Sequence, residues 1–227
     1  WFKKARKVLY TGLSEERFFA DGLIFHIPMI EIKALSNYSE LNMAIEKIVR
    51  FGNKSFDWIV FTSRFGVKYF FEQMFKKVRD ARALSGIKIA AIGQSTAAKL
   101  KNFGLLADLV PSEETSYGLL REFKKIAQDA RNNPPQKILL PRSDIADKGL
   151  TDGLRKIGFE VRPVVAYKNV LPQNLPALDL NFFDEIIFSS PSTVKNFVKR
   201  YGLPPAGIKI TTIGPVTENA WREVIKK

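Results

Sequence analysis

Six short stretches hold most of the side chains that could bind a ligand or move a proton: Thr11 with Gly12; Thr62 with Ser63; Gly93 with Ser95 and Thr96; Arg142 with Ser143 and Asp144; Ser189 with Ser190 and Ser192; Gly214 with Thr217. Each stands where an apolar run ends and an amphipathic one is expected to begin. Hydroxyls in such places cap helices. The first N–H groups of a helix have no intrahelical partner, and with the helix dipole behind them they attract anions. A single turn of this kind is most simply a cap. Six of them are what a site for a large anion would use, and the chemistry they offer is hydrogen bonding and charge complementarity.

The remaining catalytic inventory is thin. There is no cysteine, so disulfides, thiolate metal sites and thiol nucleophiles are excluded. The only histidine, His26, follows the apolar Leu23 to Phe25 and reads as structural; a nucleophile–histidine–acid set has nothing else to draw on. The string IGQST has too few glycines and no following lysine for a phosphate-binding loop. Asp144 and Asp147, three residues apart at an expected helix start, read as partners of the helix dipole rather than as metal ligands. No metal-ligand spacing is visible. Neither a metal nor a cofactor is expected.

Charge narrows the partner. Lys and Arg number 36 against 23 Asp and Glu, a net charge of +13 that favours anions around the molecule. The basic residues fall in scattered pairs such as Lys3 and Lys4, Lys76 and Lys77, Lys124 and Lys125, and Lys199 and Arg200. Nucleic-acid binders show a stripe with interleaved aromatics or a recognisable module, and neither is present, so nucleic acid is not expected. An apolar share of 45% can fill real cores. No apolar run approaches the roughly 20 residues of a membrane span, and the opening WFKKARKVLY lacks the apolar stretch of a secretion signal. A cytoplasmic protein without membrane contact is expected.

The elements that must position these turns are written twice. FDWIVFTSRFGVKYF at 56–70 matches FDEIIFSSPSTVKNF at 183–197 at eight of fifteen positions, and IKIAAIGQST at 87–96 matches IKITTIGPVT at 208–217 at six of ten. A weaker pair is KVLYTG at 7–12 with KILLPR at 137–142. The matched segments keep their order, so half of the protein has been laid down twice. Each copy starts with a continuously apolar run, as a strand buried on both faces would, continues with an amphipathic stretch such as 67–77, and returns to an apolar run such as 87–92. Strand, helix, strand predicts a right-handed parallel crossover, hence two α/β lobes with parallel sheets. The polar turns then share the carboxyl edge, the usual ligand position of open α/β folds. Gly104 is placed to end the helix that starts after Gly93. Two extended segments, 28–35 and 161–171, fit no strand–helix rhythm and are expected to cross between lobes, while the polar 128–136 stretch reads as a surface loop.

The strings FTSRFGV, IGQSTAAKLKNFG, LVPSEETSYGLL, PRSDIADKGLTDGLRKIGFEVRPVVAYKNVLP, FSSPSTVKNF and IGPVTENA together resemble uroporphyrinogen-III synthases over nearly the whole chain. The ordered set carries the resemblance, above all PRSDIA followed about twenty residues later by VVAY and then a proline. It implies two flavodoxin-like α/β lobes joined by a two-stranded β connector, with the active site in the cleft between them. One lobe would combine 1–33 with 169–227, the other would be 36–165, and the connectors would be about 28–36 and 162–171. The implied substrate is hydroxymethylbilane, a linear tetrapyrrole rich in carboxylates, and no cofactor is implied. The implied reaction, in haem biosynthesis, loses the terminal hydroxyl, forms a spiro intermediate and closes to uroporphyrinogen III with ring D inverted. Thr62, Ser63, Thr96, Arg142, Ser189, Ser190, Ser192 and Thr217 match the family's polar turns, and Tyr167 matches its connector tyrosine, the expected catalytic group. Ser143 stands where many members carry glycine, and Arg64, Phe65 and Gly66 occupy positions that vary. A monomer is expected. A two-lobed anion-binding or regulatory protein without catalysis would use the same turns.

Overall fold

The computed structural model describes residues 5–14, 21–129 and 134–226. In chain order the elements are β1 (Lys7–Tyr10), β2 (Leu23–His26), β3 (Glu31–Lys33), α1 (Ser39–Phe51), β4 (Trp58–Phe61), α2 (Arg64–Met74), β5 (Lys88–Ala91), α3 (Gln94–Lys101), α4 (Ser116–Asp129), β6 (Lys137–Ser143), α5 (Gly149–Ile157), β7 (Glu160–Val170), β8 (Glu185–Phe188), α6 (Pro191–Tyr201), β9 (Lys209–Thr212) and α7 (Pro215–Ile225). The chain divides into two compact units, Trp1–Glu31 with Asn169–Lys227, and Ile32–Lys168. It is an α/β protein with one sheet per unit.

The first unit carries a four-stranded sheet in the order β2-β1-β8-β9, and the second a five-stranded sheet in the order β3-β7-β6-β4-β5. Setting aside β3, the two orders match strand for strand. The recurring strings occupy β4 and β5 in one sheet and β8 and β9 in the other, and the weaker pair, β6 and β1, lies one strand outward in each. Pairings of β4 with β5 and β6, β6 with β7, β1 with β2 and β8, and β8 with β9 are all parallel.

Strand alternation explains the cores. Ile59, Phe61, Ile89, Ala91 and Leu139 face one way into a cluster with α1 and α2 residues such as Ile45, Phe70 and Phe71. Their neighbours Trp58, Val60, Ala90, Ile138 and Leu140 face the other way, against Leu119 and Phe123 of α4 and Leu154 of α5. Both faces of β4 are therefore dry, which is why it reads as one apolar run rather than an alternating one. Phe61 meets Phe70 edge-on with ring centroids 5.5 Å apart, and burying such a side chain is worth roughly 1.5–3 kcal/mol over leaving it in water. In the first unit Leu9, Ile186 and Phe188 pack on Val194 and Phe197 of α6.

Several boundaries differ from the sequence reading, each for a local reason. α2 begins at Arg64 rather than near 67, because the Ser63 side chain accepts the Gly66 N–H at 3.0 Å and starts the helix a turn early. α5 does not follow Arg142 directly; it starts at Gly149, after a loop in which Asp147 accepts the Gly149 N–H at 2.7 Å. Asp147 thus stands at a helix start, but Asp144 does not. Of the extended stretch 28–35 only Glu31–Lys33 is a strand. Pro28 has no N–H to give, and Met29 is tied elsewhere, its N–H to Thr11 O at 3.0 Å and its carbonyl to Asn196 Nδ2 at 2.7 Å. Gly104, with φ +73°, does end α3: Leu105 N–H returns to Leu100 O at 3.2 Å and Gly104 N–H to Lys101 O at 3.0 Å. The helix expected after Gly12, the Lys3 and Lys4 pair, and Asn132 with Asn133 lie outside the described residues.

Candidate functional site

In the second unit β7, β6, β4 and β5 all end at one edge, and three of the six sequence stretches lie there, those at Thr62, Gly93 and Arg142. Ser63 caps α2 and, with the same Oγ, lies 2.9 Å from the Tyr167 hydroxyl. Tyr167 reaches it from late in β7. A register shift between Arg142 and Ser143 sets Ser143 opposite Tyr167 in place of Ala166, and such bulges re-aim side chains at sheet ends. The phenol ring is buried, 6% exposed, between Tyr69, stacked at 6.0 Å, and Phe65, tilted at 5.9 Å. Its orientation is therefore fixed. The Tyr167 carbonyl accepts the Asp144 N–H at 3.1 Å, so β7 also holds the start of the 144–148 loop.

Arg142 holds the far end of that loop. Its guanidinium donates to Thr151 Oγ1 at 2.7 Å and to the Asp147 carbonyl, using two of its five N–H groups. Burial draws Arg142 below the ordinary arginine value, against the pull of the Asp147 carboxylate; starting so high, it stays charged. Burial also pushes the Tyr167 phenol up, opposed by the Ser63 hydrogen bond and by the charge of Arg142. At neutral pH Tyr167 is a proton donor with a hydroxyl and a cation beside it. Gly66 makes room for this packing, since a Cβ there would stand 3.1 Å from the Pro141 carbonyl.

The β5 to α3 turn is filled from within. Glu114 Oε1 accepts the Gln94 N–H at 3.2 Å, and Glu114 Oε2 occupies the space that a Cβ of Gly93 would need. The helix start expected to attract an anion already holds one. Thr62 and Ser95 are half-buried at their margins, while Thr96 is buried.

The first unit presents its own edge. Thr11 is wholly buried and donates its hydroxyl to Ile187 O at 2.7 Å. The Gly12 carbonyl takes a hydrogen bond from His26 Nε2 at 2.6 Å, so the one histidine serves the turn. Ser190 and Thr193 form a capping box at the start of α6, and Ser190 Oγ lies 3.0 Å from Ser192 Oγ. Burial pushes the Tyr10 phenol up, and the Ser189 hydroxyl opposes the shift. Ser189, Ser190 and Ser192 are half-buried, Thr217 is buried and Gly214 is exposed. The structure thus groups Ser63, Arg142, Ser143, Asp144 and Tyr167 in one unit and the three serines in the other. It withdraws the hydroxyls of Thr11, Thr96 and Thr217 from solvent. Among the described residues no group of three or more His, Asp or Glu could hold a metal ion, and no helix is long and apolar enough to cross a membrane.

The sequence model of the family described as uroporphyrinogen-III synthase HemD matches residues 20–224. The chain belongs to the uroporphyrinogen-III synthase family. A relative from Methanothermobacter thermautotrophicus is 30% identical over 214 residues, spanning 87% of this chain and 79% of its own. Uroporphyrinogen-III synthase of Synechococcus elongatus is 26% identical over 222 residues, 91% of this chain and 79% of its own. The fold is similar to the crystal structure of a mutant uroporphyrinogen III synthase from Thermus thermophilus, with a TM-score of 0.62 over 96% of this chain and 89% of that one at 19% identity. This chain is therefore an enzyme of porphyrin biosynthesis, of the lyase type that closes a tetrapyrrole ring.

Within this uroporphyrinogen-III synthase framework the sequence reading missed Tyr10, Glu114 and Thr151. Tyr10 aligns with Leu140 in the weaker repeat, so the repeat offered no reason to mark it. Glu114 lies twenty residues from its partner Gln94, beyond any local pattern. Thr151 is an ordinary helix residue until the fold brings Arg142 to it.

Proposed function

We propose that this chain cyclises and dehydrates hydroxymethylbilane to uroporphyrinogen III, with ring D inverted through a spiro intermediate, and that Tyr167 is its proton donor and acceptor. The observation that carries the reading is the 2.9 Å contact between the Tyr167 hydroxyl and Ser63 Oγ, with Arg142 alongside, at the carboxyl edge of a parallel sheet. As the terminal C–O bond breaks, Tyr167 gives its proton to the departing oxygen and water leaves, with an azafulvenium behind it. The Ser63 hydroxyl and the Arg142 charge stabilise the tyrosinate so formed. The azafulvenium carbon then bonds to the substituted carbon of ring D. The spiro species fragments and recloses at the free position, and the proton lost there on rearomatisation returns to Tyr167. Protons and electrons balance with water as the only by-product.

Spontaneous closure proceeds without inversion, so the protein must hold one geometry more than it must supply strong acid, and orientation is the larger contribution. In this reading the carboxylates of the substrate are held by Ser63, Ser143, Ser189, Ser190 and Ser192, by backbone N–H groups near Gly93 and Gly214, and by the +13 field. The buried Thr11, Thr96 and Thr217 shape the turns. With this reading go a cytoplasmic monomer and a free tetrapyrrole partner, with no cofactor, nucleic acid or membrane involved. The test is incubation with freshly made hydroxymethylbilane and separation of the product isomers. Uroporphyrinogen III formed faster than spontaneous closure supports it; only the uninverted isomer, at the spontaneous rate, leaves a protein that binds without catalysis.

A further inference from the structure

We propose that Asp144 is a catalytic residue of the second unit: its carboxylate pairs with the azafulvenium that forms as water leaves, and accepts a hydrogen bond from the pyrrole N–H that shares the positive charge. This rests on the reading above and gives a task to an acid that no helix explains. For a substrate made of carboxylates an acid at this edge is out of place, since it repels the groups that must be held. The edge nevertheless carries Glu114, Asp147 and Asp144. Glu114 accepts the Gln94 N–H at the start of α3 and Asp147 the Gly149 N–H at the start of α5, so both serve helix ends. Asp144 stands before the loop that leads to α5 and serves no helix.

Asp144 is held by the strand that carries the proton donor. Its N–H donates to the Tyr167 carbonyl at 3.1 Å. The register shift after Arg142 sets Ser143 beside Tyr167 in the ladder. Ser143 Oγ donates to Asp144 Oδ1 at 3.1 Å, and the Ile145 N–H donates to the same oxygen at 3.0 Å. Two donors on one oxygen fix the carboxylate, on an exposed side chain that an incoming substrate can reach. The phenol feels its charge as well. Burial raises Tyr167 most, the Ser63 hydrogen bond lowers it, and the Asp144 charge raises it further. A neighbouring negative charge makes a phenol a poorer acid, so Asp144 is not there to help the proton leave. Its place beside the donor is explained by the other product of the same bond cleavage.

The acid is no part of the shared scaffold. In the weaker repeat Arg142 falls opposite Gly12, and the same alignment sets Asp144 opposite Ser14. Electron count ties the pairing to the transition state. When the terminal C–O bond breaks, its electron pair leaves with the oxygen, the Tyr167 proton joins that oxygen, and water departs. The positive charge left on the methylene carbon is shared with the pyrrole nitrogen, whose N–H becomes a stronger donor. Asp144 meets a neutral pyrrole before this step and a cation after it; no bond to carbon forms and no further proton moves. A contact that strengthens only as charge develops raises kcat rather than affinity. Substrate lying over the exposed carboxylate displaces water from it, and the attraction gains strength as the screening falls.

Steady-state kinetics of Asp144→Asn and Asp144→Glu on hydroxymethylbilane test this, together with the Kd of two bilanes. One bears a cationic aminomethyl group where the substrate bears hydroxymethyl, and the other bears a methyl group there. Asp144→Asn keeps an oxygen for Ser143 and Ile145 and removes the charge. We expect kcat to fall about three- to thirtyfold, between the worth of an exposed ion pair and that of a charge-assisted hydrogen bond. KM should stay level or fall about twofold, because one repulsive charge is gone, with melting nearly unchanged. Asp144→Glu, which keeps the charge on a longer arm, should recover part of kcat. The unsubstituted protein should bind the aminomethyl bilane about three- to tenfold more tightly than the methyl one, and Asp144→Asn should lose that preference. Unchanged kcat in Asp144→Asn overturns the proposal, as does an equal fall in Asp144→Glu. A rise in KM with kcat kept, or a marked loss of melting temperature in Asp144→Asn, overturns it too and leaves Asp144 a binding or a turn residue. Equal affinity of the unsubstituted protein for the two bilanes has the same force. The isomer assay judges the reaction separately: if it succeeds while these results fail, the pairing alone falls, and if it fails, the reading of the reaction falls with it.

Discussion

After β5 the chain turns at Gly93 with φ −146°, and after β9 it turns at the matching Gly214 with φ +82° and ψ 161°. The residue is the same and the reason for it is not. At Gly93 the backbone is extended and any residue could adopt it, but a Cβ would collide with the Glu114 carboxylate. At Gly214 nothing stands within 4 Å of a Cβ, and only the backbone angle demands glycine. Occupancy diverges too. The first turn of α3 is engaged by the chain's own carboxylate, whereas beside Gly214 the chain leaves exposed Pro215 and Val216. The units share a scaffold and repeat its lettering, yet each copy has put its edge to separate use: one around a buried phenol, a guanidinium and an internal acid, the other around clustered serines and an open turn.

That division is sharpest at Tyr167, where the largest effect is expected. Tyr167→Phe keeps the ring between Tyr69 and Phe65 and removes only the hydroxyl that meets Ser63. Turnover should fall roughly ten- to a thousandfold, at or below the usual range for one acid–base group, because orientation survives. Turnover equal to the unsubstituted protein would move the chemistry away from the second unit. The same variant has an alkaline signature. Burial raises the Tyr167 phenol, so the folded state keeps a proton that the unfolded chain gives up near pH 10. Stability from this group is whole below that pH and drains away as pH climbs towards the folded value. Melting of Tyr167→Phe should therefore decline less steeply above about pH 10, and equal slopes would show that the phenol titrates alike in both states.

A stability effect of intermediate size separates the two glycines. Gly214→Ala forces a side chain into a region of φ and ψ that is essentially reserved for glycine, at a cost of about 1–3 kcal/mol. Gly93→Ala meets only the end of an exposed glutamate, which can swing aside, and should cost less. Chemical denaturation of both variants reads the difference. Equal losses, or a larger one at Gly93, would mean that the Glu114 contact is rigid and that the contrast between the turns has been misjudged.

The sequence shows the scaffold more readily than the wiring. Continuous apolar strings such as Trp58 to Phe61 announce a strand covered on both faces, and duplication of the pattern tells how the strands recur. Both signals are local or periodic, and the parallel sheets follow from them. Ser63 is legible as a cap for the same reason. Its second partner is not, because Tyr167 is 104 residues away and only the register shift after Arg142 aims it there. Arg142 reads as a ligand of substrate on its charge, and it spends part of that capacity on Thr151 and on the carbonyl of Asp147. Glu114 escapes notice altogether, since a carboxylate twenty residues beyond a helix start leaves no periodic trace.

Glu114 gives the smallest and most pointed comparison. If the start of α3 attracts carboxylate from the substrate, the glutamate now there is a competitor, and its exposed side chain is free to leave. Glu114→Gln keeps the length and a hydrogen-bonding oxygen but removes the charge. Loss of an exposed acid at a helix N-terminus costs about 0.3–1 kcal/mol, so melting should drop slightly. Capture should improve, because the incoming carboxylate no longer displaces an anion and the local field becomes more positive. KM for hydroxymethylbilane is expected to fall about two- to threefold with kcat little changed, a gain of the size that a single screened surface charge can supply. A fall that disappears at high salt would agree with a charge effect. A rise in KM would mean that Glu114 holds the β5 to α3 turn in its working shape, and that the second unit, unlike the first, keeps this turn closed while it works.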